Sequence, residues 1–591
     1  MSRKIELYSH TNTKSTIIEE TLNDYYPNVS CQSKINSRYL LRNRIINIYF
    51  QFIYSMNSAF VCDLFYQMTY GHPGIKTPFG LKYIINADTT ASGYPNRQIE
   101  SIINNQILVY YNNTHSNAYC GRLMTQYIEQ SKEIIRQSLN AQKRDQIIFT
   151  GNGCSGAINH LIHSLSLRNT NKNITIIFLT KAEHHSNHLP WTHLPVTLIY
   201  VPLLKNGLID HLFLEQQLVK HKNFRAIIAS FNASSNVTGV HQNVHQISQL
   251  IHNYGGLIFW DYAASAPYIP INIHHNDHKG QYFDAIFISA HKFFGGPGAP
   301  GILVAHQNLF KNNVPYCPAG GTVRFVCSSF KTYISDIETK ETGGTPNIIG
   351  CIKAGLAFDL KNKYQNYIIK KDAELLQYVQ SRLLKIPNLK LLNPINNLHR
   401  LPIFVFLIDG LHYNFIVALL NDLFGIQTRG GISCCSLLAQ ELLQIDAHKQ
   451  KKISDQILNN QGTPGYYGWC RVSFHYAMPY FIVEYITNAI QFISQYGHLF
   501  LKYYKYYPQK NHWLYCSQNV PWEDFNHIQL SINQLPTKNP IIYLDQSILS
   551  KQFFEAHNLL NLLHIQSNQL TLNNFSNHMQ SQSINTTQTI V

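Results

Sequence analysis

At 591 residues the chain is longer than one ordinary domain and can bury a large core. Its formal charge of +15 and pI near 9.1 would suit anionic partners, but the basic residues are scattered, with no run of five or more, so no nucleic-acid-binding tract is expected. Eleven cysteines at irregular spacing, with one adjacent pair and no C-x-x-C, argue against a disulfide framework or zinc ribbon and point to a reducing compartment, the cytosol by default.

The first 24 residues are polar and mixed in charge, unlike a secretory signal. Residues 45–66 are apolar but interrupted by Asn47, Gln51, Asn57 and Asp63. A membrane span needs about 20 predominantly apolar residues, so a core or interface helix is expected here and no membrane contact. Residues 1–80 are set apart as an N-terminal extension without an assigned role. Residues 83–88, YIINAD, predict a short strand running into the small-residue turn TTASG, with Asn113, Thr114 and His115 further on. Over residues 124–141 the apolar positions Met124, Tyr127, Ile128, Ile134, Ile135 and Leu139 recur at helical spacing.

A strand over residues 146–150 leads through GNGCSG (151–156) to a helix predicted over 157–167. That turn fits G-x-G-x-x-G, the dinucleotide fingerprint, with Glu183 as a candidate ribose carboxylate. The same turn can bind a single phosphate through the backbone N–H groups of Cys154 and Ser155 at a helix N-terminus. A nicotinamide dehydrogenase would place its first strand unusually far along the chain and leave Asp261 and Lys292 without a role, so a phosphate monoester is favoured.

Strands are predicted over 174–180, 196–203 and 224–231. The first ends in EHHSNHLPW (183–191), where His184 and His188 lie four apart but with no carboxylate or thiol at ligand spacing, so no metal site is expected. An apolar run over 257–260 ends on Asp261; another over 285–288 ends on Ser289, His291 and Lys292, followed by Gly295, Gly296, Gly298 and Gly301. Two buried-type strands thus each deliver a charge at the C-terminal end. A lysine and a carboxylate so placed suit pyridoxal phosphate, the amine forming a Schiff base with the aldehyde and the carboxylate keeping the pyridine nitrogen protonated.

At SAHKFFGGPGAPG (289–301) and WDYAASAP (260–267) the chain resembles the class V aminotransferase group of fold type I pyridoxal phosphate enzymes, whose best known members are the cysteine desulfurases. The resemblance runs in order from about residue 84 to about 495. It implies an α/β fold of the aspartate aminotransferase kind: a large domain (residues 81–346) with a mainly parallel seven-stranded sheet and a smaller α/β domain (347–497). A C-terminal extension (498–591) follows, with a polar tail from about 566. It also implies that His184 stacks on the cofactor ring, that Asn236 in SSNVTG (234–239) bonds the ring hydroxyl, and that Ser289 and His291 position the phosphate and lysine. Thr345 in TGGTPN (342–347) would reach the phosphate of a second subunit, hence a homodimer.

QTRGGISCC (427–435) resembles the desulfurase R-x-G-x-x-C, which selects Cys434 over Cys435 as nucleophile on a mobile loop, with Lys292 and His184 moving protons and a persulfide passed on to an acceptor protein. Arg471 in WCRVS (469–473), assisted by Arg429, would clamp the α-carboxylate of an amino-acid substrate. One departure stands out: many desulfurases carry glutamine three residues after the aspartate, and this chain has Ala264. Transamination, epimerisation or another lyase reaction without Cys434, and a non-catalytic relative, remain open alternatives.

Overall fold

Short apolar runs rich in isoleucine and phenylalanine form the central sheet. In the computed structural model, which describes residues 58–167, 174–458, 467–517, 520–521 and 541–567, its strands are β1 (Asp145–Thr150), β2 (Thr175–Thr180), β3 (Thr197–Val201), β4 (Ala226–Asn232), β5 (Leu257–Asp261), β6 (Ala285–Ser289) and β7 (Gly301–His306). They lie in the order β1-β7-β6-β5-β4-β2-β3. The pairs from β6 to β3 are parallel, and β7 runs antiparallel to both β6 and β1. The mainly parallel seven-stranded sheet expected from the sequence is therefore present. Alternate residues enter separate cores on the two faces: Ile258, Trp260, Ile286 and Ile288 on one, Phe259, Ala285 and Phe287 on the other. A sheet covered on both faces needs such unbroken apolar strands.

The chain divides into two units, Met1–Val61 and Cys62–Val591. Of the first, only Ser58–Val61 are described, as the start of the helix Ser58–Gln67; the rest of the apolar stretch read over 45–66 lies outside the described residues. The sheets and the site belong to the second unit. There Phe65 is fully buried and packs its ring against Phe294, Tyr364 and Tyr476.

Two predicted boundaries shift. The amphipathic helix spans Tyr119–Ser138, burying Met124, Ile128, Ser131 and Ile135 as one stripe against the helix Ile348–Lys363. The helix expected from 157 begins at Gly153, so that Gly153, Cys154 and Ser155 form its first turn. The single strand read over 83–88 is two pieces. Gly80–Tyr83 pairs with Gly74–Thr77 as a hairpin, and Ile85–Asn86 pairs in parallel with Ile426–Gln427. This second pairing carries Asp88 towards the C-terminal part of the chain.

A second, wholly antiparallel sheet has the order β8-β9-β11-β10, from β8 (Leu389–Leu391), β9 (Ile403–Ile408), β10 (Arg429–Gly431) and β11 (Trp469–Ser473). Helices Gln365–Leu383, Tyr413–Phe424 and Tyr480–Tyr496 share its core. Residues well beyond 497 join that core too. Leu544, Leu549, Ala556 and Leu560, the last three on the helix Gln546–Ser567, are buried in it. The buried Lys82 meets Glu555 at 2.8 Å, and Tyr83 N–H donates to Gln552 Oε1. The tail beyond 567 lies outside the described residues.

Two buried histidines make this fold sensitive to acid. His241 Nδ1 meets the Ser234 hydroxyl at 2.7 Å, and His475 Nδ1 accepts from Ala477 N–H. Burial holds both at about 3, whereas in the unfolded chain each takes up a proton near 6.5. The unfolded state therefore binds more protons as pH falls from 6.5 towards 3. The stability these two groups confer is complete above pH 6.5 and lost below it, at up to about 2.7 kcal/mol per pH unit for the pair. The melting temperature, followed by scanning fluorimetry, should fall steadily from pH 6.5 to 4, and a flat profile would contradict this account.

Candidate active site

A cavity of about 290 Å³ opens beyond the C-terminal ends of β4, β5 and β6, where open α/β sheets hold their ligands. Asp261 is the last residue of β5 and Lys292 lies in the turn after β6, the neighbouring parallel strand. Asp261 is 4 % exposed and accepts from Ala263 N–H at 2.8 Å. Burial raises its pKa, against the pull of that N–H and of the Lys292 charge. Burial likewise lowers the pKa of Lys292, against the opposing charge of Asp261. Each group moderates the other's desolvation.

Of the residues singled out in the sequence, Cys154, Ser155, His184, Asn236, Asp261, Ser289, His291, Lys292, Arg429, Cys434 and Arg471 all line this cavity. Thr345 does not; it is exposed, just before the helix Ile348–Lys363.

At the phosphate-type turn, Gly153 has φ +56°, and a Cβ there would come within 2.8 Å of Ser289 Oγ and 2.9 Å of His291 Cε1. Glycine is required both by the left-handed backbone and by the approach of β6. The Cys154 N–H, expected to face a phosphate, donates to Ser289 Oγ at 3.0 Å, while the Ser155 and Ser186 hydroxyls pair at 2.5 Å. Ser289 and Ser186 thus share the polar rim with the helix N-terminus. Ser186 was not anticipated from the sequence. The glycines after Lys292 do not line the cavity: Gly295, at φ +84°, packs on Ile99, and Gly296 leaves no space for a side chain beside the Ala290 carbonyl. They turn the chain beneath the lysine.

His184 caps the helix His185–Thr192, its Nδ1 accepting from Ser186 N–H at 3.1 Å. Burial and the nearby Lys292 charge push its pKa down to about 4, so the ring is neutral at ordinary pH. His188 is elsewhere, bonded to the Tyr200 hydroxyl at 2.7 Å. Glu183 is no ribose ligand. It is 3 % exposed and accepts from Thr180 Oγ1, Asn187 Nδ2 and Asn232 Nδ2 at 2.7–2.9 Å, and burial pushes its pKa up to about 7. A dinucleotide site loses its carboxylate.

Asn232, also not anticipated, ends β4 in register with Asp261 and lines the cavity. Its Oδ1 is buried and has no hydrogen-bond partner among the described residues. Ala264 lines the same cavity and supplies no amide there, whereas Asn232 supplies an amide oxygen.

The two adjacent cysteines differ completely. Cys434 is exposed and lines the cavity. Cys435 is buried, its Sγ 3.3–3.4 Å from Ala182 O, Glu183 O and Asn236 Oδ1, and burial pushes its thiol pKa far up. Ser433 and Cys434 both adopt left-handed backbone, φ 53° and 54°, which costs non-glycine residues about 1–2 kcal/mol each. Three bonds hold the strained pair: Asn236 Nδ2 to Ser433 O at 2.9 Å, Trp469 Nε1 to Ser433 Oγ at 3.1 Å, and His185 N–H to Cys434 O at 2.8 Å. The backbone around Cys434 is thus held by hydrogen bonds at Ser433 and at Cys434 itself.

Arg429 on β10 and Arg471 on β11 are directly opposite each other in register. The Arg471 side chain is 4 % exposed and that of Arg429 half exposed. Between them lies Asp88, with Oδ1 2.8 Å from Arg471 Nη2 and Oδ2 2.9 Å from Arg429 Nε. Arg471 Nη1 donates to Asn236 O at 3.2 Å.

The chain is similar to cysteine desulfurases in sequence and in fold. A probable cysteine desulfurase of Halalkalibacterium halodurans is 30 % identical over 339 residues, covering 56 % of this chain and 79 % of its own. A cysteine desulfurase of Wigglesworthia glossinidia brevipalpis is 27 % identical over 338 residues, covering 55 % and 78 %. Among solved structures, an apo cysteine desulfurase of Thermococcus onnurineus superposes with a TM-score of 0.59 at 23 % identity, over 70 % of this chain and 95 % of that one. One from Escherichia coli gives 0.54 at 22 %, over 68 % and 93 %; these two likenesses concern the fold. The family model for aminotransferase class V, whose members generally depend on pyridoxal phosphate, matches residues 85–484, from just before Asp88 to beyond Arg471. With two thirds of its length under that one model and its charged residues gathered at the strand ends, the chain belongs to the aminotransferase class-V family.

Proposed function

We propose that the protein is a pyridoxal-phosphate-dependent enzyme that removes the sulfur of a small amino acid, cysteine before others, onto Cys434. The observation carrying this is one cavity lined by a buried lysine, a buried carboxylate, a neutral histidine and an exposed cysteine. Its residues fit the cofactor. The N-terminus of the helix Gly153–Ser164 with Ser155, Ser289 and His291 would hold the phosphate, Lys292 the aldehyde carbon and Asp261 the pyridine nitrogen, with His184 against the ring. Asn236, and the unpartnered Asn232 Oδ1, supply polar atoms nearby. When bound, the cofactor supplies an electron-withdrawing ring attached to the substrate nitrogen.

The chain's own groups do the rest. Arg471 takes the substrate carboxylate, as a planar guanidinium can with two bonds. Lys292, its pKa lowered by burial, can release and take up a proton, and neutral His184 can accept one. The thiolate of Cys434 attacks the substrate sulfur, the new S–S bond forming as the substrate's carbon–sulfur bond breaks. The electron pair stays with the substrate carbon, which takes up a proton on the way to alanine, and the sulfur remains on Cys434 as a persulfide. Because the backbone at Ser433 and Cys434 is held by hydrogen bonds, the persulfide stays at the cavity, and a sulfur acceptor, protein or small thiol, has to come to it.

The exposed Thr345 supports a homodimer in which it serves the neighbouring site. No helix among the described residues is long and apolar enough to cross a membrane, and we place the enzyme in the cytoplasm, with no nucleic-acid partner. We keep the division into a large domain (81–346), a small domain (347–497) and two extensions, of which the C-terminal one lends the helix Gln546–Ser567 to the small domain's core.

Cysteine given to the purified enzyme with dithiothreitol should yield sulfide and alanine in equal amounts, the dithiol being the reductant. A second reading, transamination or epimerisation without Cys434, draws on the anchored thiol loop and on Ala264. Turnover of another amino acid with no sulfide from cysteine would favour it.

A further inference from the structure

We propose that Asp88 is a built-in stand-in for the substrate's carboxylate, and so a specificity-determining residue of the site; this rests on the assignment of Arg471 to that carboxylate. Arg429 and Arg471 are cross-strand neighbours, and like charges directly opposite in a sheet repel. Arg471 is almost wholly buried, so its charge needs a partner. Asp88 supplies one, from a turn more than 300 residues away in sequence, fixed by the pairing of Ile85–Asn86 with Ile426–Gln427 and by its own N–H on Asn86 Oδ1.

The fit is deliberately incomplete for a clamp. Asp88 divides its carboxylate between the arginines, one oxygen to each, where a guanidinium can take both. Along the Nε–Nη2 edge of Arg471, Nη2 is held by Asp88, while Nε is buried with no partner among the described residues. A carboxylate entering the cavity gains both bonds on that edge by displacing Asp88 from Nη2. Asp88 keeps Arg429, and the two cations then face two carboxylates. The resting site is therefore held in shape and partly neutralised, and only a ligand able to make the two-bonded pair displaces the internal group. Monatomic anions such as chloride, and ligands without a carboxylate, do not.

The test is calorimetric titration of the holoenzyme with 3-mercaptopropionate, which has the carboxylate and thiol of cysteine but no amine to react. Asp88→Asn should bind it about tenfold more tightly than the native protein, bind chloride measurably, and melt at a lower temperature as the arginines lose their partner. Equal or weaker binding by Asp88→Asn would overturn the role of Asp88, leaving it a structural strut. No binding by either protein would instead overturn the assignment of Arg471, and this proposal with it. Should Asp88→Asn fail to fold, a structure of the native enzyme with 3-mercaptopropionate decides. The ligand on Arg471 Nε and Nη2 with Asp88 turned away supports the proposal, and Asp88 still on Nη2 beside the bound ligand overturns it.

Discussion

Lys292→Ala is expected to leave a folded protein without the visible absorbance of bound cofactor, and with turnover reduced on the order of 10³-fold or more, since both the covalent attachment and the proton carrier are removed. Lys292→Arg should not restore it. A guanidinium does not deprotonate in proteins and cannot act as the nucleophilic amine. Circular dichroism of the variant should match the native protein, because the strands that carry Lys292 and Asp261 are held by the apolar faces of the sheet and not by this pair. Native-like turnover in Lys292→Ala would sink the enzyme assignment at its root.

The second large effect concerns Cys434. Cys434→Ser should lose sulfide release from cysteine by roughly 10²–10³-fold while still showing the spectral change of amino-acid binding, since the carrier thiol is gone and the lysine chemistry is not. Its stability should change by no more than about 0.5 kcal/mol, as expected for an exposed side chain. Cys435→Ser should largely keep both sulfide release and melting temperature, because a hydroxyl there can donate to the Ala182, Glu183 or Asn236 oxygens that surround Sγ. If Cys434→Ser kept full sulfide release, the persulfide role would fall and the transaminase or epimerase alternative would stand.

The central sheet was legible because its strands are buried on both faces and so appear as unbroken apolar runs, with Asp261 and Lys292 marking where two of them end. Periodicity also found the helix that buries Met124 and Ile135, though not its first turn, which begins four residues before the first strongly apolar position. What the sequence hid was long-range. Asp88 follows an alanine in a small-residue turn, and nothing nearby says that its partners are Arg429 and Arg471. Glu183 could be read as a nucleotide ligand because the donors that bury it, Asn187 and Asn232, come from a helix and from another strand. The fixed posture of Cys434 depends on His185, Asn236 and Trp469, three residues from three separate stretches. Local pattern carries the scaffold; the site's finer contacts arise from tertiary pairing, which a linear pattern does not encode.

The last described helix has a consequence for how the enzyme is made. Leu549, Ala556 and Leu560 fill the same interior as the strands carrying Phe404 and Val472, and Glu555 neutralises an ammonium that is otherwise sealed from water. On the ribosome, residues 88 to 471 emerge complete with every reactive group, yet the smaller lobe stays open on one side until some ninety further residues have been translated. A chain cut or fused before Gln546 should therefore be sticky and poorly soluble even though it retains every residue of the cavity.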